Sequence, residues 1–205
     1  MTFAETLKHN NLELRRDETT TLQVNVGLAC DLACRHCHLE AGVTRREQMS
    51  PSVVDDVIAC ARRLNFELID ITGGAPELLP ELPRLIAGLA PETPKLMVRT
   101  NLTALTRPEA RHLPELYRKH RVVIAASLPS INQGQTEAQR GAGVWDKSLE
   151  ALKRLNTVGY GIEGSGLELL LISNPSGAFL APGQTQAERR FHADLERRHG
   201  ITFTH

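Results

Sequence analysis

The chain has 205 residues, 24 Lys plus Arg against 24 Asp plus Glu, a formal net charge of zero, and 41% hydrophobic residues. That length allows one domain with a sizeable core, and the balanced charge excludes a polybasic binder of nucleic acid or anionic membrane. No apolar run approaches the ~20 residues of a membrane span, and the N-terminal MTFAETLKHNNLELRRDE lacks the apolar segment of a secretory leader, so a cytoplasmic protein with reduced thiols is expected.

In chain order, Leu22, Val24 and Val26 alternate as in a strand. Ser50 offers an N-cap and Pro51 suits a first helical turn, after which Val53, Val54, Val57, Ile58, Ala61 and Leu64 share one helical face. A second strand is expected over Leu68–Ile71, a helix near Leu82–Leu89, and a third strand over Leu96–Val98. Thr106 and Glu109 have capping-box spacing and predict a third helix, with a break at Pro114. A fourth strand is expected over Val122–Ala126, a helix carrying Leu149, Leu152 and Leu155, and a fifth strand over Leu167–Ile172. A charged helix around Ala187–Arg198 ends at His199–Gly200, and the closing ITFTH reads as the start of a sixth strand.

Five β-α repeats with a sixth begun predict an α/β fold with a parallel sheet and crossover helices. Periodicity leaves open whether the sheet is doubly wound or curled into a partial barrel. One domain over residues 1–205 is expected, with residues 1–19 as an N-terminal extension and the chain cut short in the sixth unit.

In parallel α/β folds the chemistry gathers where strands end. The first strand runs into Cys30, Cys34 and Cys37, and the second into Thr72–Gly73–Gly74–Ala75–Pro76–Glu77. The third runs into Arg99, Thr100 and Asn101, the fourth into Ser127, and the fifth into Ser173 and Asn174. The topology is expected to bring these residues to one mouth.

Three cysteines spaced Cys30-x3-Cys34-x2-Cys37 directly after a strand offer thiolates, the usual ligands of iron–sulfur clusters. Three thiolates on three irons of a cubane leave a fourth iron open to chelate a co-substrate. Rival readings remain. Zinc on Cys30, Cys34, Cys37 and His38 has an accepted ligand set but no second knuckle. The stretch Cys34–Arg–His–Cys37–His38 also fits c-type haem attachment, which leaves Cys30 without a role. Three structural thiols are the bland reading, and Cys60, on a helical apolar face, is expected to be core. Gly73–Gly74 lets backbone approach a ligand closely, with Pro76 stiffening the turn, although such segments are also ordinary turns.

At these residues the sequence resembles the radical SAM superfamily. The phrases TLQVNVGLACDLACRHCHLEAG, DITGGAPEL, VRTNLTAL, VVIAASLP, QRGAGVWDKSLEALKRLN and NPSGAFLAP are similar to arsenosugar-biosynthesis radical SAM proteins. The resemblance implies a curled, partial (β/α)6 barrel, TIM-like, holding a [4Fe–4S] cluster on Cys30, Cys34 and Cys37 and binding S-adenosylmethionine. It implies reductive cleavage of that co-substrate, transfer of its 5′-deoxyadenosyl group to trivalent methylated arsenic, and an electron donor such as flavodoxin or ferredoxin. Gly73 and Gly74, with Pro76 and Glu77, are then expected at the methionine end of S-adenosylmethionine. His36 is expected beside adenine, Asn101, Ser127 and Asn174 near ribose or carboxylate, and Arg140 opposite a carboxylate. An alternative of the same fold abstracts hydrogen from another small molecule or a peptide; a further one is a non-catalytic zinc- or cluster-binding module. Two departures stand out: Leu128–Pro129 is followed by Ser130 where the family often has cysteine, and the family's cysteine-bearing C-terminal region is not in these 205 residues.

Overall fold

The computed structural model describes residues 1–15, 17–173 and 183–205. Five strands form one parallel sheet in the order β1-β2-β3-β4-β5. They are β1 (Thr21–Asn25), β2 (Leu68–Thr72), β3 (Lys95–Thr100), β4 (Val123–Ser127) and β5 (Leu169–Ile172). The helices are α1 (Phe3–His9), α2 (Pro51–Arg63), α3 (Leu82–Leu89), α4 (Leu113–Lys119), α5 (Gln133–Arg140), α6 (Val144–Thr157) and α7 (Gln184–His199).

The strand order settles what periodicity left open. A doubly wound sheet reverses its order at a switch point and carries helices on both faces. Here the order never reverses, so right-handed crossovers place the helices on one face and leave the other to a curled interior. The main core lies on the helical face, where Ile69, Ile71, Val98 and Ile124 pack with Val54, Leu85, Ile86 and Leu152. A smaller cluster of Met97, Val123 and Ala125, joined by Leu170 and Ile172, fills part of the inner face. Beside it, Asp70 is buried and accepts two hydrogen bonds from Arg99 Nε (3.0 and 2.9 Å) and one from Gln23 Nε2 (3.0 Å). The fold is α/β, a partial barrel.

Local chemistry explains most boundaries. The Ser50 hydroxyl accepts the Val53 N–H at 3.4 Å, and Pro51 sits in the first turn of α2, where a missing N–H costs nothing. The same logic corrects the expected break at Pro114. The capping box at Thr106 does not form; the Thr106 hydroxyl instead donates to the Thr103 carbonyl (2.8 Å) in a short 3-10 turn. A second such turn spans Pro108–Ala110, and α4 begins at Leu113 with Pro114 in its first turn. Helix α5 was not expected, because among its residues only Thr136 and Arg140 are buried and no apolar period announces it. Cys60 is half-buried rather than fully in the core.

The closing segment lies along β5. Thr204 N donates to Leu169 O (2.7 Å), Leu171 N donates to His205 O (2.7 Å), and Ile201 and Phe203 are buried. No helix among the described residues is long and apolar enough to cross a membrane.

Candidate functional site

The segment after β1 leaves the sheet and returns. Leu28 N donates to Glu47 O (2.8 Å) and Met49 N to Val26 O (2.8 Å), which tie its two ends together. Within it, Cys30 N donates to Gly42 O (3.3 Å) and Cys37 N to Cys34 O (3.1 Å), so backbone bonds shape the cysteine loop from both ends. The loop after β2 docks directly onto it: Gly74 N donates to Gly27 O (2.8 Å) and Ala75 N to Ala29 O (2.9 Å). A Cβ on Gly74 would stand 2.3 Å from Ala29 O, so the close approach of two backbones requires glycine there. Gly73, at φ +152°, also has backbone against it, 3.0 Å from Gly27 O. The space that a side chain would need is thus taken by the cysteine loop.

At the C-terminal edge of the strands lies a cavity of roughly 340 Å³. Cys30, Cys34 and Cys37 line it together with His36, Gly73, Gly74, Asn101, Ser127 and Arg140. Residues from β1 to β5 thus meet at one mouth. Arg140, delivered by α5, is buried; its guanidinium donates to Ser127 O (2.7 Å) and to Asn101 O (2.5 Å), clamping the ends of β3 and β4. Arg35 N donates to Gln139 O (2.9 Å), which fastens the cysteine loop to the same helix.

Three expectations need revision or fall outside this view. Pro76 and Glu77 do not line the cavity: the 3-10 turn Pro76–Leu78 turns both into the protein, and both carboxylate oxygens of Glu77 are buried with no hydrogen-bond partner. Burial pushes the Glu77 carboxyl up to about 7. Asn101 reaches the cavity, but its amide turns to Cys30 and Asp31 rather than standing free for ribose. Asn174 and the NPSGAFLAP phrase lie outside the described residues. Sequence reasoning singled out neither Asp31, whose signal was its adjacency to Cys30, nor Gln23 and Asn25, which line the cavity from β1. His38, Leu32, Leu39, Ala41 and Ile172 also line it, giving the site an apolar side.

Burial pushes the Cys30 and Cys34 thiols up, while the Arg140 guanidinium beside Cys34 pulls the other way. Binding a metal here must therefore displace thiol protons. Burial, and then Arg140, pushes His36 down, which favours a neutral imidazole. Among the described residues, no three His, Cys, Asp or Glu side chains are gathered closely enough to hold a single metal ion. The donor set itself, three cysteine sulfurs on one loop, is the chemistry that an iron–sulfur cluster takes.

The fold is shared with the crystal structure of Streptococcus suis SuiB bound to S-adenosylmethionine, at a TM-score of 0.64 and 15% identity, covering 94% of this chain and 41% of that one. It is also shared with anSMEcpe with bound AdoMet, at a TM-score of 0.55 and 13% identity, covering 91% and 63%. Among curated proteins, a probable GTP 3',8-cyclase of Pyrococcus horikoshii is 26% identical over 144 residues, 70% of this chain and 45% of the relative. The mycofactocin maturase MftC of Mycolicibacterium smegmatis is 27% identical over 132 residues, 64% of this chain and 33% of the relative. The chain spans less than half the length of these two relatives. The Radical SAM superfamily model matches residues 24–190, from β1 through both loops into α7, and the chain therefore belongs to the radical SAM superfamily.

Proposed function

We propose that this chain is the core of a radical SAM enzyme in which Cys30, Cys34 and Cys37 hold the cluster and the cavity beside them receives S-adenosylmethionine and a small substrate. Family membership brings a [4Fe–4S] cluster and S-adenosylmethionine as the working cofactors. The observation that carries the residue assignment is the lining of one cavity by all three cysteines together with the glycine loop. When bound, the cluster supplies the electron that breaks the C5′–S bond of S-adenosylmethionine.

The chain's own residues bind, orient and exclude. Gly73 and Gly74 bring the second loop against the cysteine loop and fix its position. Arg140 gives the site a buried positive charge near Cys34, suited to offset thiolates or a carboxylate. Leu32, Leu39, Ala41 and Ile172 contribute apolar lining that would limit water around a bound co-substrate.

For the substrate, the reading is transfer of the 5′-deoxyadenosyl group to trivalent methylated arsenic. Its support is the run of arsenosugar-like phrases and a cavity side apolar enough for methyl groups. Ser130 does not line that cavity; its hydroxyl donates to Gln135 Oε1 (2.6 Å) and accepts from Asn132 N (3.1 Å), so it brings no soft ligand to arsenic. The names of the relatives favour a second reading, hydrogen abstraction from another small molecule or a peptide: one is a GTP 3',8-cyclase, and SuiB has been crystallised with its precursor peptide.

Reduced, reconstituted protein is expected to release 5′-deoxyadenosine from S-adenosylmethionine. Adding trivalent dimethylarsenic diverts that product into an arsenic–adenosine adduct, read by mass spectrometry, if the first reading holds. Continued release of free 5′-deoxyadenosine with no adduct removes the arsenic assignment and leaves the core reading intact.

A further inference from the structure

Building on Cys30 as a cluster ligand, we propose that Asp31, Asn101 and Thr103 form a positioning network that aims the Cys30 sulfur and sets the reduction potential of the cluster it holds. The Asn101 amide Nδ2 lies 3.5 Å from Cys30 Sγ and donates to Asp31 Oδ1 at 2.6 Å. The other carboxylate oxygen of Asp31 accepts from the Thr103 hydroxyl at 2.7 Å. Asp31 Oδ1 itself stands 4.0 Å from the same sulfur. One sulfur thus faces an N–H donor and a carboxylate that are bonded to each other.

The network is held from outside as well. Asn101 Oδ1 accepts from Ala104 N (3.0 Å), and the Asn101 carbonyl accepts from Arg140. Leu102, the next residue, has φ 70°, a backbone conformation that residues with a side chain rarely adopt. It is kept there by full burial and by its N–H bond to Thr100 Oγ1 at 2.9 Å. This turn directs Asn101 and Thr103 toward the cysteine loop, although 70 and 72 positions separate them from Asp31 in sequence.

The two groups act on the cluster in opposite senses. An N–H···S bond stabilises the negative charge that grows on the ligand sulfur during reduction, and so raises the potential. A carboxylate beside the sulfur opposes that charge and lowers the potential. Asp31 therefore locks the amide in place and also tempers its effect.

The test is an anaerobic redox titration of the reconstituted full chain, followed by electron paramagnetic resonance of the reduced cluster. Asn101→Ala is expected to move the midpoint to more negative potential by about 59 mV, tenfold in the one-electron equilibrium. Asp31→Asn, which keeps the shape and an acceptor oxygen, is expected to move it the other way by a similar factor. General damage to the loop does not produce opposite shifts. Midpoints equal to wild type, or moving in the same direction in both variants, overturn the proposal. Should Asn101→Ala fail to fold, Asp31→Asn decides alone: a raised midpoint supports the network and an unchanged one rejects it. Wild-type protein that takes up no iron rejects the ligand assignment itself, and this inference with it.

Discussion

Glu77 offers a sharp test of the packing beneath the site. Its carboxylate is fully buried, its oxygens lack partners, and the nearby Tyr117 hydroxyl is also buried without one. Burial dominates and raises the carboxyl from 4.5 to about 7, while the Thr100 hydroxyl and then the Glu77 backbone N–H pull the other way. The unfolded chain releases this proton near 4.5 and the folded chain near 7. Between those values the unfolded state binds fewer protons, so stability is fully present below 4.5 and falls as pH rises through about 7. At 1.36 kcal/mol per pKa unit, the loss attributable to Glu77 between pH 5 and pH 8 is about 2.5 kcal/mol. Glu77→Gln, which never ionises, is expected to lack that component. Urea denaturation of cluster-free wild type and variant at pH 5, 6, 7 and 8 reads the difference directly. Parallel pH profiles would show that the carboxyl titrates alike in the folded and unfolded chains, and would refute the reasoning.

Two further substitutions probe how the loops are joined. Gly74→Ala places a methyl 2.3 Å from Ala29 O and is expected to push the two loops apart. It should destabilise by about 1–3 kcal/mol and lower the iron bound per chain, as read by urea titration and iron assay. Arg140→Met orphans the Ser127 and Asn101 carbonyls and is expected to destabilise by about 2–4 kcal/mol, again by urea titration. A loss under 1 kcal/mol would mean that the clamp between β3 and β4 is not where stability resides.

The β-α rhythm was legible because each strand and most helices carry an apolar period, and the strand ends could be read as converging because parallel topology dictates it. The cysteine spacing was equally plain. The features that escaped have physical reasons. Helix α5 is polar almost throughout, so nothing in its pattern announces that it carries a buried arginine to the site. Arg99 reads as a strand-end residue at the mouth and Asp70 as part of the second strand, and only the packing of neighbouring strands brings the two together in the interior. Glu77 follows the glycine pair and so reads as ligand-facing, but the direction of a 3-10 turn is not encoded in any local spacing. Asn101 reads as a loop amide, and its contact with Asp31 depends on how Leu102 turns the backbone.

The central claim concerns three sulfurs on one loop. Anaerobic reconstitution with ferrous iron and sulfide should give about four irons and four sulfides per chain, and Cys30→Ala, Cys34→Ala and Cys37→Ala should each abolish that loading while leaving the chain folded. Stoichiometric zinc with no iron uptake, or undiminished iron in the cysteine variants, would contradict it.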